Sequence, residues 1–213
     1  MGGSASVKSI IRRTDTTFCV SVEVSNESGC ECVEFVILEE LFDGSALDMG
    51  AIGEDELYEL DRAADVTAAY MSACVSFAYT QCSLKSLYRK LIQKGFSKES
   101  SSMAIDIVES RGFVDEDEIA ARRAEIMLSK LWGKNRILQK LREEGFSDVV
   151  IRGALESIEN ADFAENCAKV IEKRYSQIPT ERREREKMYA SLVRMGFSSS
   201  EIKKAMSLIE NGE

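Results

Sequence analysis

Histidine is absent from the 213 residues, proline occurs once, at Pro179, and tryptophan once, at Trp132. Each scarcity excludes something. Without histidine the commonest general base of enzymes is missing, and so are mixed Cys/His zinc sites. The six cysteines, at 19, 30, 32, 74, 82 and 167, show no C-x-x-C spacing. Cys30-x-Cys32 puts two thiols on one strand face, which suits a structural role better than ligation. No Walker A loop, G-x-G-x-x-G, nucleophile elbow or H-E-x-x-H occurs. An enzyme is therefore not expected, and neither a cofactor nor a metal site is assigned. The acidic cluster Asp115-Glu116-Asp117-Glu118 has carboxylates for Mg²⁺, but carboxylates in a first helical turn are favoured by the helix dipole. It reads as a helix start.

Long apolar runs are missing too. The longest uncharged stretch, Val66 to Leu84, is interrupted by Thr, Ser and Tyr and predicts a buried helix, not a membrane span. No charged-then-apolar leader opens the chain, so a cytoplasmic protein with reduced thiols is the expectation. Met1-Gly2 with Ser6 fits a myristoylation pattern, and Asn26-x-Ser28 fits a glycosylation sequon. A flexible terminus and a cytoplasmic turn explain both more simply. What is present is 44% hydrophobic and 31% charged residues, the balance of a folded soluble protein. The formal charge of −9 is uneven: residues 1–82 carry −11 and the rest +2. Such acidity disfavours general nucleic-acid binding, while leaving room for a local basic face on the later residues.

Those later residues repeat. LKSLYRKLIQKGFSKESSSMAIDIVES, its counterpart around Gly145, and EKMYASLVRMGFSSSEIKKAMSLIE place Gly95, Gly145 and Gly196 at intervals of 50 and 51 residues. Glycine past a helix end supplies the left-handed position, and the apolar residue after it packs back on the helix. Here Phe96, Phe146 and Phe197 face Leu91, Leu141 and Leu192. Ser97, Ser147 and Ser198 can then cap the next helix. Phe146 and Phe197 stand opposite Ile151 and Ile202 as hydrophobic staples, and Ser198-x-x-Glu201 forms a capping box. Ser101 takes the staple position in the first repeat and loses it. A third, covering helix comes from upstream: Ile119, Ala120, Ala124, Met127, Leu128 and Leu131 keep helical spacing, as do Phe163, Cys167, Val170, Ile171 and Tyr175. For the first repeat, Glu54 to about Tyr79 can serve.

Ahead of the array, Val7–Arg13, Phe18–Val24 and Cys32–Ile37 read as a small antiparallel meander by their period of two. One helical turn over Glu39–Asp43, ended by Gly44, and a loop over Asp48–Gly53 follow. Pro179 marks a stop before a helix over Thr180–Met195. The fold class is mainly α: tandem three-helix repeats in a curved array, preceded by the β meander. The division is a β-rich segment over residues 1–53 and helical repeats over 54–113, 114–159 and 160–213.

The array, with GFVDEDEIA at Gly112 to Ala120 and LWGKNRILQKLREEGF at Leu131 to Phe146, resembles the bacterial RecX family. Its most specific parts are Asp115 with Ala120 and the run Gly133, Arg136-Ile137, Leu141, Gly145. The resemblance implies a modulator of the RecA recombinase, usually an inhibitor, acting in recombination, DNA repair and the SOS response. It implies a RecA filament as partner, with weak DNA binding at most, no membrane contact, and a monomer. Basic residues cluster on the middle repeat and at Arg182, Arg183, Arg185 and Lys187. The binding residues chosen from them are Arg122, Arg123, Lys130, Lys134 and Arg136, together with Trp132. A solvated helix face is the plain alternative for the charges. Trp132 either caps a helix end against the core or presents an edge to a partner. The rival function is a DNA-binding protein using its three-helix units as helix-turn-helix modules, which a steep salt dependence would reveal.

Overall fold

The computed structural model describes residues 4–26, 29–42, 47 and 49–211. The start of the myristoylation pattern, the end of the sequon, and Asp43, Gly44 and Asp48 of the two expected connections lie outside these residues. Three strands form as expected, each longer than its apolar centre: β1 (Ser4–Thr14), β2 (Thr17–Asn26) and β3 (Gly29–Leu38). The expected loop before Glu54 contains a fourth strand, β4 (Gly50–Ile52), paired with β1 at Ala5 to Val7. Its three residues are too few for period-two alternation to register. The sheet is antiparallel in the order β3-β2-β1-β4. The helical turn after β3 is three residues long, Glu39–Leu41.

Alternation sends Val7, Val20, Val22, Phe35 and Ile37 to one side, where they pack with Leu60 of α1 (Glu54–Tyr79). Helix and sheet thus share one core. Thr67 of α1, buried, accepts from the Leu38 amide at 2.9 Å and donates to the Ala63 carbonyl at 2.8 Å. Cys30 and Cys32 lie exposed on β3. The uncharged run is only half buried: Met71, Val75 and Tyr79, four residues apart, face outward. No helix among the described residues is long and apolar enough to cross a membrane.

Three helical hairpins follow. They are α2 (Leu84–Gln93) with α3 (Lys98–Ser110), α5 (Lys134–Glu143) with α6 (Asp148–Glu156), and α8 (Arg182–Arg194) with α9 (Ser199–Asn211). Leading helices α4 (Glu116–Ser129) and α7 (Phe163–Tyr175) pack on α6 and α9, and α1 packs on α3. In every hairpin the phenylalanine amide donates to the leucine carbonyl five residues back at 3.2 Å, and the glycine amide to the carbonyl three back at 2.9 to 3.0 Å. This double bond pattern is the one expected of a glycine-terminated helix. Ser97 and Ser147 cap through their hydroxyls, and the Ser198 and Glu201 box closes at 3.3 and 2.7 Å. Ser101, fully buried at the first repeat's staple position, has no partner for its hydroxyl among the described residues. Helix α4 ends at Ser129, before Leu131, because Leu131 adopts φ 58°. Helix α8 starts two residues later than Thr180.

By contacts the chain forms two compact units. One holds the residues up to Thr80 with Leu87–Phe113, and the other holds Gln81–Ser86 with the residues from Val114 on.

Candidate interaction surface

Within the second unit the repeat interval brings equivalent residues to equivalent joints. Ser83 stands 50 residues before Gly133, and Glu144 stands 51 before Met195. At the first joint the buried Ser83 hydroxyl and the Ser86 hydroxyl both donate to the Glu144 carbonyl, at 2.6 and 2.7 Å. At the second, backbone replaces side chain: the Gly133 amide donates to the Met195 carbonyl at 2.8 Å and the Asn135 amide to the Gly196 carbonyl at 3.1 Å. The chains approach so closely that a Cβ on Gly133 would overlap the Gly196 carbonyl, and one on Gly196 would overlap the Arg136 amide. Gly133 is therefore required by contact, since its own φ of −74° is open to any residue.

This joint sets the surroundings of the residues chosen from the sequence. Leu131, left-handed without being glycine, packs its side chain on the third repeat's core. Trp132 comes next, half buried, with the Arg136 guanidinium 3.8 Å from its ring centroid. That stacking occupies one face of the indole ring. Arg122 pairs with Glu118 at 2.6 Å and reaches Gln81 at 3.4 Å. Arg123 donates to the Gln81 carbonyl at 3.0 Å and lies 3.9 Å from Glu144. Lys130 and Lys134 are exposed and have no ion pair among the described residues. Of the six residues, two tie α4 to Gln81, two stack on each other, and two extend into solvent.

The acidic cluster is used by the helices themselves. Asp115 caps α4 through the Glu118 amide at 2.9 Å, and Glu116 accepts from the Leu84 amide at 2.8 Å. Asp162 caps α7 in the same way. The Glu165 amide, followed by the Lys204 ammonium and the Ala164 amide, holds its carboxyl below the ordinary carboxylate value. Cys167, inside the third repeat, is pushed up to about 12 by burial, with Glu201 adding to the shift. It is an inert core thiol.

Two open grooves between paired helices complete the surface. One, between α5 and α6, holds about 470 Å³ and is lined in part by Lys134, Leu138, Arg152 and Leu155. The other, between α8 and α9, holds about 500 Å³ and is lined in part by Arg185, Tyr189, Lys203 and Met206. Of the six chosen residues Lys134 alone lines either groove, and the matched arrangement of the two was not anticipated. The repeat interval could have found it, because each residue of the second set lies 51 positions after its counterpart in the first.

A family model described as the third three-helix domain of RecX matches residues 161–206. The regulatory protein RecX of Xanthomonas axonopodis pv. citri is 30% identical over 124 residues, covering 58% of this chain and 76% of that protein. That of Halorhodospira halophila is 26% identical over 130 residues, 61% of this chain and 80% of the relative. Among solved structures, a crystal structure of regulatory protein RecX superposes with a TM-score of 0.71 at 21% identity, over 97% of this chain and 99% of the other. The crystal structure of RecX from Lactobacillus salivarius gives 0.58 at 22% identity, over 69% and 97%. Both share the fold.

Proposed function

The chain belongs to the RecX family of regulatory proteins, and we propose that it regulates the RecA recombinase by binding its filament, without chemistry of its own. The direction we assign is inhibition, of ATP hydrolysis and of strand exchange. The observation that carries the reading is the family membership of an array whose conspicuous residues serve packing, capping and jointing. Asp115, Glu116 and Asp162 cap helices, and Cys167 is sealed in the core. What is left over is exposed charge, Lys130 and Lys134 among it. Charge of that kind suits recognition of a partner surface.

Several weak contacts made at once add through effective concentration. The protein should then slow DNA-dependent ATP hydrolysis by RecA at amounts below one per RecA monomer, and should hydrolyse nothing alone. Titrating it into RecA assembled on single-stranded DNA tests this directly. An ATPase rate indifferent to the protein at every ratio sinks the reading. So does an effect that appears only when the protein is abundant enough to coat the DNA, which would favour direct DNA binding.

A further inference from the structure

The apolar positions of the two grooves have an ordinary explanation. Leu138 and Leu155 in the second repeat correspond to Tyr189 and Met206 in the third, all half buried. At the same repeat positions the first repeat has Tyr88 and Ile105, also half buried, so pairing of the two hairpin helices accounts for all three sets. The cations are different. Lys134 and Arg152 correspond to Arg185 and Lys203, whereas the first repeat has Leu84 and Ser102. Packing that is satisfied without a cation in one repeat does not explain two cations at matching positions in the others. Lys134, Arg152 and Lys203 have no ion pair among the described residues, while Arg185 has Glu210 at 3.2 Å.

We infer that the second and third repeats carry two copies of one docking groove, each taking the same protein segment: an apolar side chain flanked by carboxylates. The apolar member would lie on Leu138 and Leu155, or on Tyr189 and Met206, with the carboxylates between the cations. A phosphate backbone fits less well. It has no apolar group to lay on Leu138 and Leu155 or on Tyr189 and Met206. Two like grooves require a partner that presents one segment more than once, as neighbouring subunits of a homopolymer do. This inference rests on the reading above, which supplies such a partner.

The test uses the full chain and RecA filaments on single-stranded DNA, with binding measured by fluorescence anisotropy of the labelled chain. One variant combines Lys134→Glu with Arg152→Glu, a second combines Arg185→Glu with Lys203→Glu, and a third has all four. A control combines Lys173→Glu with Arg174→Glu, two exposed residues of α7 outside both grooves. Each groove variant should bind about tenfold or more weakly, because losing one of two linked contacts forfeits effective concentration. The two should agree within about threefold and the four-residue variant should lose binding, while the control keeps the parent affinity within about threefold. Leu155→Ser and Met206→Ser should also weaken binding, and these losses should persist at high salt. Circular dichroism matching the parent establishes that the variants are folded. If the parent chain binds and the groove variants match it, the inference fails and the regulatory reading stands. If only one groove matters, the duplication is wrong. An equal loss of binding to DNA without RecA makes nucleic acid the occupant and overturns the inference. A parent chain that does not bind filaments removes the regulatory reading and this inference with it.

Discussion

A methyl group at Gly133 has nowhere to go. Because its Cβ would overlap the Gly196 carbonyl, Gly133→Ala should cost about 3 kcal/mol or more, the upper part of the range for forced overpacking. Denaturant midpoints measure it, and a loss below about 1 kcal/mol would mean the joint opens readily. Ser101 makes the opposite case. Its buried hydroxyl lacks a partner among the described residues, so Ser101→Ala should stabilise the chain by about 1 kcal/mol, an unsatisfied polar group being worse than none. A destabilised Ser101→Ala protein would reveal a partner for that hydroxyl. Asp162 makes stability depend on pH. Its carboxyl is held below its ordinary value in the fold, so its contribution is fully present above the unfolded value and is lost as pH falls through the folded one. The stability difference between the parent and Asp162→Asn should be constant above the ordinary aspartate range and shrink as pH falls below it. Thermal melts across that range decide it, and a difference that grows on acidification contradicts the assignment.

Within the elements, the three hairpins share a turn but not its strength. Phe146 and Phe197 are buried against Ile151 and Ile202, whereas Phe96 is half buried opposite Ser101. Phe146→Ala should therefore cost about 3 to 5 kcal/mol, and Phe96→Ala roughly half of that for its partial burial. Equal midpoints for the two variants would show that the staple adds nothing. Such hairpins were legible in the sequence because every feature was local: a glycine, a phenylalanine one residue on, a capping serine, and apolar residues at helical spacing. Strand β4 was not legible, since three residues borrow their conformation from Ala5 to Val7. The half exposure of α1 was hidden for a similar reason. An uncharged run shows that a helix face tolerates burial, not that something covers it. The surroundings of the residues chosen for binding were the least legible. Helical position showed that Arg122 and Arg136 avoid the core; Glu118 and Trp132, each four residues before its arginine, are local partners, whereas Gln81 reaches Arg122 through tertiary placement.

For the whole molecule, charge is the property that sequence showed and folding leaves in place. Neutralising Glu31, Asp61 and Asp65 together, all exposed in the first unit, should strengthen association with DNA severalfold at low salt. Fluorescence anisotropy with a single-stranded oligonucleotide reads this, and an unchanged affinity would mean the acidity does not screen the chain from DNA. Cutting the sheet away is the poorer experiment, because β1 to β3 share a core with Leu60 of α1. The two joints of the second unit have a mechanical consequence. One is held by the hydroxyls of Ser83 and Ser86, each able to swing about a single torsion and find its carbonyl again. The other is held backbone to backbone at Gly133 and Asn135, where no rotation relieves a pull. Under tension the serine joint should slip and heal while the glycine joint stays shut until it breaks outright, so the unit has a fixed order of yielding written into which residue stands at one repeat position.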